Sequence, residues 1–394
     1  MNITIDGADL TGITLEGVRV AYGREDTTQQ PAPAYATLTL LDLTETRSTL
    51  DLINQRIILS HLDSTIFTGT ISDVQTDVAD IGQGHHIFTH QLTATGALAR
   101  LTGRTTSATY PAALDGARVL AILRDGLAAQ WQEQAPSLVW TDAADTWESL
   151  LPTLDLVDAG GSVIAAYTDG ITSPLDLAAS AASDAGGILY DTPSGLIGYA
   201  DTYRRAADVN TNGYLTIDAS ILDGTQLRAT TRLADIINAT TVEYSTGSAT
   251  STDPSSMYTY GVQSTTITTQ LVTAAAAQAR ADLITATRAR PRQYLDAVRI
   301  GLHLLPDSDA LPLLALYQGR PIRLENLPPV LGATGTILQG FIEGWAWEAN
   351  YGEVWLTLQI SEASLSLTST RWGDYAPATT WTTTTPTLHY VDIG

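Results

Sequence analysis

The chain has 394 residues and a net charge of −22, contains no cysteine, and takes all 20 of its basic residues from arginine. The absence of cysteine excludes a disulfide framework and thiolate metal ligands. The absence of lysine excludes a lysine nucleophile, a Schiff base and the lysine of a P-loop. The acidic balance disfavours general affinity for nucleic acid, because phosphate neutralisation needs clustered cations. No run of about 18 apolar residues is present, so no membrane span is predicted.

Residues 1–103 are predicted to form a β domain. Six runs either alternate apolar and polar residues with a period of two or are rich in branched and aromatic residues, as strands with a buried face are. These runs cover residues 3–5, 18–22, 35–41, 55–59, 66–74 and 87–94.

Residues 104–215 change to a mixed pattern that predicts a small α/β region. Apolar residues at helical spacing predict a helix over 115–127. A second helix is predicted over 173–186, because it opens with serine followed by proline and ends at paired glycines. Two apolar runs around an Asp-Thr-Pro-Ser-Gly turn predict a hairpin over 188–200.

Strand patterns resume in residues 216–366, which are predicted to form a second β domain. Residues 236–244 predict a strand, and the segment 245–256, rich in serine, threonine and glycine, predicts a mobile loop. A helix is predicted over 273–289, because the segment is rich in alanine and must end before Pro291.

Residues 367–394 are predicted to form an extended C-terminal arm, because they contain too few apolar residues to fold alone. The arm carries Trp372, Trp381 and a threonine run. Two interpretations stay open: the aromatic residues dock on another subunit, or the arm is a frayed terminus.

An internal repeat is the feature that most constrains the architecture. Residues 319–361 contain three strand-like runs separated by turn formers, and the same order of runs occurs at residues 55–94. Gly69 and Gly340 occupy equivalent places in the second run of each copy. The repeat predicts mainly β structure with two similar β domains, separated in the chain by the α/β region.

Two groups of residues are candidates for metal binding. His85, His86 and His90 follow Asp73, Asp77 and Asp80, but strand alternation puts His85 on the opposite face from the other two histidines, so a surface role is favoured. The second group has the spacing of the first half of a calcium loop, with Asp218 one place before the position of the usual glutamate. Its members are Asp208, Asn210, Asn212 and Asp218. An Asn-Gly turn explains the same residues, and no metal is predicted.

No catalytic or cofactor motif is present, so no enzyme activity and no cofactor is predicted. The sequence lacks a Gly-x-Ser-x-Gly elbow, a His-Glu-x-x-His pair and a Gly-x-Gly-x-x-Gly loop that opens a helix. Pairs of carboxylates are expected by chance among 42 acidic residues. Trp345 and Trp347 share a strand face, which favours packing in a core or interface over sugar stacking.

The repeat region resembles the C-terminal part of phage tail hub proteins, the baseplate hub and tail-tip minor tail proteins. The resemblance rests on Gly-Arg-Pro-Ile-Arg-Leu at 319–324, Gln-Gly-Phe-Ile-Glu-Gly-Trp-Ala-Trp at 339–347 and Val-Trp-Leu-Thr-Leu-Gln-Ile-Ser at 354–361. The helix over 273–289 and the hairpin over 188–200 occur in the same order as in that family. The lysine-free composition, rich in alanine and threonine, is similar to that of actinobacterial phages.

The resemblance implies that the two β domains are similar β-barrels of the tail-tube type. It also implies a homotrimeric ring at the tail tip of a virion. Two barrels per chain would let three chains present six barrels, which adapts a sixfold tail tube to a threefold tip. The implied partners are a distal tail or tail tube protein, and tip fibres or other minor tail proteins. DNA would pass through the ring without specific binding, and an acidic channel lining would repel it.

The residues expected to contact other subunits or the tube come from the repeat and the arm. They are Arg56, Gly69, Arg320, Gly340, Trp345, Trp347, Trp372 and Trp381. Two other functions stay open: a hexameric distal tail ring protein, and a tail-associated protein that binds or degrades the cell wall.

Overall fold

A computed structural model describes most of the chain. The described residues are 2–9, 13–24, 27, 29–42, 49–80, 86–127, 156–168, 170–223, 227–291, 293–328 and 336–367. Three of the residues singled out above, His85, Trp372 and Trp381, lie outside these ranges, as does nearly all of the predicted arm.

The N-terminal part forms seven strands and a short helix α1 (Thr49–Leu52). The strands are β1 (Asn2–Ile5), β2 (Ala8–Asp9), β3 (Ile13–Gly23), β4 (Tyr35–Asp42), β5 (Arg56–His61), β6 (Ser64–Asp80) and β7 (His86–Thr95).

The next part mixes helices with short strands. Its elements are β8 (Ala113–Leu114), α2 (Asp115–Leu127), β9 (Val163–Ile164), α3 (Pro174–Ala185), β10 (Ile188–Asp191), β11 (Ile197–Ala200) and α4 (Arg204–Asn212). The predicted helix ends are confirmed for α3, where Ser173 caps the first turn through Asp176 N–H and Gly186 ends the helix with φ of 81°. The hairpin β10–β11 is also confirmed.

The C-terminal part returns to strands, with a second helical insertion. The strands are β12 (Leu215–Asp218), β13 (Arg228–Thr231), β14 (Ala239–Tyr244), β15 (Gly247–Thr252), β16 (Ser264–Thr268), β17 (Gln293–Gly301), β18 (Pro321–Glu325), β19 (Leu338–Asn350) and β20 (Glu353–Glu362). The helices are α5 (Pro254–Tyr260), α6 (Ala274–Arg288) and α7 (Asp307–Leu314). The predicted mobile loop over 245–256 is wrong, because most of it forms β15 and the start of α5.

One large curled sheet contains strands of both the N-terminal part and the C-terminal part. The fold is therefore mainly β with an α/β region, as predicted. The strands lie in the order β13-β17-β20-β19-β3-β4-β7-β6-β5-β1-β2, with β18 pairing with β19 and β12. The two copies of the repeat are far apart in sequence but adjacent in space, because β19 of the second copy pairs with β3 of the first.

The strand order confirms the internal repeat. The equivalence also extends beyond residues 55–94 and 319–361 to the neighbouring strands. The enlarged first copy runs β3-β4-β7-β6-β5-β1, and the enlarged second copy runs β13-β17-β20-β19-β18-β12. Both copies carry a bulge at the same place: the register shifts between Ile71 and Asp73 in β6, and between Ile342 and Gly344 in β19. One difference is that β1 is antiparallel to β5, whereas β12 is parallel to β18.

The described residues form two large hydrophobic cores and a small cluster of Ile188, Tyr190 and Ala200. The sheet covers the first core, which contains buried residues of both repeat copies. The second core lies among α2, α3, β10, β11, β14, β15 and α6. Helix α6 therefore packs with the α/β region, through Ala277 and Ala281, rather than with the strands that flank it in sequence. Among the described residues, no helix is long and apolar enough to cross a membrane.

Candidate subunit interface

A seam of seven residue pairs joins the two repeat copies within the chain. It runs antiparallel from Gly344 opposite Gly23 to Asn350 opposite Gly17. On the core side, Trp345 stacks on Tyr22 with ring centroids 4.8 Å apart and an interplanar angle of 16°. This contact buries a large aromatic area across the seam, which makes the two copies one packing unit.

On the other side of the sheet the seam carries an ion pair at the surface. Arg19 Nη1 lies 3.5 Å from Glu348 Oε1, and both side chains are about half exposed. An exposed ion pair of this kind contributes little to stability. It shows that the observed register puts opposite charges next to each other across the two strands.

A buried carboxylate anchors one end of the seam. Glu343, at the bulge of β19, is 2% exposed and accepts from Arg24 Nη2 and Arg205 Nη1, each at 2.8 Å. Ser361 Oγ donates to the same carboxylate at 2.5 Å. Arg24 follows β3 and Arg205 lies on α4, so three parts of the chain meet at one charge.

The charges around Glu343 determine its ionisation. Burial by itself would raise the pKa of this carboxyl, but the guanidinium groups of Arg205 and Arg24 and the donated hydrogen bonds outweigh burial and hold the pKa at about 2. Glu343 is therefore ionised at any physiological pH, and each of its two arginines has a charged partner.

Gly23 is required where the seam meets this cluster. Its φ is +84°, and a Cβ built on it would lie 2.2 Å from the carbonyl oxygen of Glu343. Only glycine accommodates both the left-handed backbone and the close approach of β19.

The predicted contact residues occupy different environments. Trp345 and Trp347 are 2% and 1% exposed, so within one chain they pack in the sheet core. Arg56 is exposed, and Arg320 lies half-buried over the Tyr317 ring at 5.6 Å. A role for these residues in contacts between subunits stays a prediction.

Gly69 and Gly340 are confirmed as equivalent positions of the repeat, opposite Ile57 and Ile322 respectively. A Cβ at Gly69 would lie 2.5 Å from the carbonyl oxygen of Thr95, and a Cβ at Gly340 would lie 2.3 Å from that of Ser361. The two glycines therefore allow close strand packing in both copies.

The residues with calcium-loop spacing do not form a loop. Asp208, Asn210 and Asn212 lie on α4, where Asn212 Nδ2 donates to Asp208 Oδ1 at 3.3 Å, and Gly213 follows the helix. Asp218 lies on β12 and accepts from Asn326 Nδ2. The expected Asn-Gly turn is thus a helix end.

The histidines and aspartates of the other candidate group are separated by strand alternation. His90 is 1% exposed, with Nδ1 2.7 Å from Thr76 Oγ1, while Asp73 and Asp77 are exposed on the alternate face of β6. Within the described residues, no three His, Cys, Asp or Glu side chains converge on a common point.

The face of the central strands away from the core, here called the open face, is polar. One cross-strand row consists of Trp355, Glu348, Arg19, Thr37, Thr93 and Asp73. The next row continues with Thr39, Gln91 and Gln75. Hydroxyl and amide side chains therefore dominate where β4, β7 and β6 adjoin, and Arg19 of this face is paired with Glu348.

Sequence reasoning found the repeat but missed the seam and the Glu343 cluster. Arg24 and Arg205 lie 319 and 138 residues from Glu343, and no local pattern marks them as its partners. The one sequence feature that could have located the seam is the equivalence of β6 and β19 at their bulges.

The fold built from these elements is that of phage tail proteins of known structure. The 43 kDa tail protein of prophage MuSo2 from Shewanella oneidensis is similar with a TM-score of 0.60 at 11% identity, over 92% of this chain and 99% of that one. The tail protein from Neisseria meningitidis MC58 gives 0.57 at 12% identity, over 92% and 96%.

A third similar structure is that of a secretion-system component. The E. coli c3393 protein is described as a component of the type VI secretion system with structural similarity to the T4 tail proteins gp27 and gp5. Its TM-score is 0.50 at 11% identity, over 92% of this chain and 77% of that one. In sequence, no family model and no curated protein matches the chain. At these identities the likeness establishes the fold.

Proposed function

We propose that the chain is a structural subunit of a phage-type tail, and that three copies close a hub ring at the tail tip of the virion. The observation that carries the proposal is the repeat within one sheet. Two modules with the same strand order and the same bulge lie side by side, so a ring of three chains contains six similar modules. Such a ring can face a sixfold tube on one side and a threefold tip on the other.

The two large hydrophobic cores guide the assignment of chain segments to the parts of the ring. We assign residues 1–103 and 216–366 to the ring wall and residues 104–215 to the middle region. Helix α6 and strands β14 and β15 pack with that middle region although they are inserted within the second ring-wall segment. Residues 367–394 remain assigned to an arm. The middle region is available to contact neighbouring tail proteins, the tube protein on one side and tip fibres or other minor tail proteins on the other.

The open face supports a DNA channel. Its central rows contain hydroxyl and amide groups and an arginine neutralised by Glu348, so this surface offers few cations that could hold phosphates. Asp73 would add repulsion where β6 crosses the channel wall. The lining is less acidic than the net charge of the chain suggests. DNA would pass without specific binding.

Two modules per chain favour three copies over the six copies of a hexameric distal ring with one module each. The fold of structural tail proteins likewise favours a structural role over cell-wall degradation, and no cofactor enters the proposal.

Native mass spectrometry tests the proposal. We expect a closed species of three times the 41.9 kDa chain mass, with ring-shaped particles in negative-stain images. A hexamer as the closed species, or clearing of host cell walls in zymograms by the purified chain, would contradict it.

A further inference from the structure

Two of the edges of the large sheet, on β6 and on β13, carry backbone groups without a strand partner among the described strands. β6 pairs with β5 only as far as Thr70 and then continues to Asp80 with β7 alone. At one end of the sheet, β13 pairs with β17, and no further strand of the described residues lies beyond it. An open edge of this kind is a template for pairing with another chain.

The repeat identifies what would pair with the edge of β6. The bulge residue Ser72 corresponds to Glu343, so residues 73–79 of β6 correspond to residues 344–350 of β19. In the second copy, residues 344–350 are covered by β3. Among the described strands none covers the corresponding segment of β6, because the described residues contain two modules and no third one.

The counterpart of β3 in the second copy is β13, since each strand is the outer neighbour of equivalent strands, β4 and β17. The register between β6 and β13 follows from residues that lie beside the two bulges. In the first copy, Val20 lies opposite Ala36, and Ala36 lies opposite Ala94. Likewise Ala229 lies opposite Leu295, which lies opposite Ile360. Because Ala94 and Ile360 are equivalent, Ala229 is equivalent to Val20.

We infer that β6 of one copy pairs antiparallel with β13 of a second copy, in the register of the β19–β3 seam. This inference rests on the proposed ring and specifies how neighbouring copies are connected. The pairing of β6 with β13 between two copies is here called the joint. The register places the following residues opposite each other: Val74 and Thr231, Gln75 and Thr230, Thr76 and Ala229, Asp77 and Arg228, Val78 and Leu227.

Charge and hydropathy match across this register. The register puts Asp77 opposite Arg228, as the register of the intrachain seam puts Glu348 opposite Arg19. Within its own chain, Arg228 lies opposite Asp296 on the other side of β13. Val78 is 58% exposed in the single chain, an unfavourable state for a strand valine, and Leu227 of the second copy would cover it. These two matches were not used to set the register, so they support it independently.

The joint uses different strands from the two copies, so each chain offers one edge of each kind. An interface of this type closes into a ring when the rotation per copy allows, and it does not stop at a dimer. Ser72 stands where Glu343 stands in the intrachain seam, so the joint between copies lacks the buried ion cluster. Backbone pairing, one surface ion pair and the valine contact hold it.

Disulfide trapping tests the register, and the chain has no cysteine of its own to interfere. Directly opposed residues of an antiparallel pair have the Cα separation that a disulfide needs. We expect the double variant Q75C/T230C to form covalent trimers on mild oxidation. The control A79C/T230C, displaced by four residues or about 13 Å along the strand, should not form them. A mixture of the single variants Q75C and T230C should give covalent dimers and no larger cross-linked product.

Charge reversal provides a second measurement. Asp77→Arg and Arg228→Asp should each weaken self-association about tenfold, and the double reversal should restore it. Circular dichroism of each variant verifies that the fold is retained.

The outcomes separate the joint from the ring. A trimer that forms without the Q75C/T230C cross-link, or a cross-link in Q75C alone, overturns the inferred joint and leaves the ring standing. Cross-linked closed species with a copy number other than three keep the joint and overturn the threefold ring. A chain that does not self-associate at any concentration overturns both.

Discussion

Replacing Glu343 with glutamine tests what holds the two repeat copies and the α/β region together. The variant keeps the size of the side chain and one oxygen, which can still accept from Ser361 Oγ. It removes the charge between Arg24 and Arg205, whose side chains are 8% and 9% exposed. Two buried guanidinium groups are then left facing an amide, which costs far more than the loss of a surface pair.

The magnitude follows from the ionisation of the carboxyl. A pKa of about 2 in the folded chain, against the ordinary 4.5, corresponds to about 3 kcal/mol of stabilisation of the ionised form at about 1.4 kcal/mol per tenfold change. Because the folded pKa is depressed, this stability is fully present above pH 4.5 and is lost as the pH falls towards 2. We therefore expect Glu343→Gln to lower the free energy of unfolding by about 3 kcal/mol at neutral pH, and the difference from wild type to shrink below pH 4.5.

Urea unfolding followed by circular dichroism over a pH series measures this difference. Glu348→Gln is the matched control, because it lies on the same strand and its pairs with Arg19 and Arg299, at 3.5 and 4.0 Å, are at the surface. It should cost less than about 1 kcal/mol. If the two variants lose the same stability, or if the loss in Glu343→Gln does not depend on pH below 4.5, the interpretation of the cluster is wrong.

Three further predictions concern other parts of the chain. Gly340→Ala should lower the free energy of unfolding by about 1–3 kcal/mol, because its Cβ would lie 2.3 Å from a carbonyl oxygen. The control Gly17→Ala should be tolerated, because the nearest atom to its Cβ lies at 3.9 Å. Equal melting temperatures of the two variants would contradict this prediction. Asp191→Asn should cost about 1–3 kcal/mol, since its two oxygens accept separately from the N–H groups of Ala34 and Leu98, and an amide can serve only one; unchanged urea unfolding would refute this. Calcium added to the purified protein should release no binding heat in calorimetry, because Asp208 and its neighbours lie on a helix, and a saturable heat would show otherwise.

Local patterns predicted the elements whose causes are local. The start of α3 follows from serine and proline in sequence, and its end from paired glycines, so both ends are correct. The repeat was also visible, since its runs share order and composition. The strand β15 was missed because its glycine and serines are typical of loops and outweighed the strand preference of its two threonines. It forms because Ala249 is buried in the second core and its neighbours pair with β14.

The seam could not be predicted for a different reason. It joins strands more than 300 residues apart, and the sequence does not show which edge of a repeat copy meets the other. The same limit applies to helix α4, where Asn-Gly indicated a hairpin turn. The N–H of Gly213 instead donates to the carbonyl of Val209 and ends a helix whose position depends on the Arg205–Glu343 contact.

Cryo-electron microscopy of the assembled ring at a resolution that separates strands tests the central claim most directly. Three chains with six similar modules are predicted, with three β19–β3 seams inside chains alternating with three β6–β13 seams between chains. A ring of six chains, or a threefold ring in which the edges of β6 and β13 remain uncovered, would contradict the account.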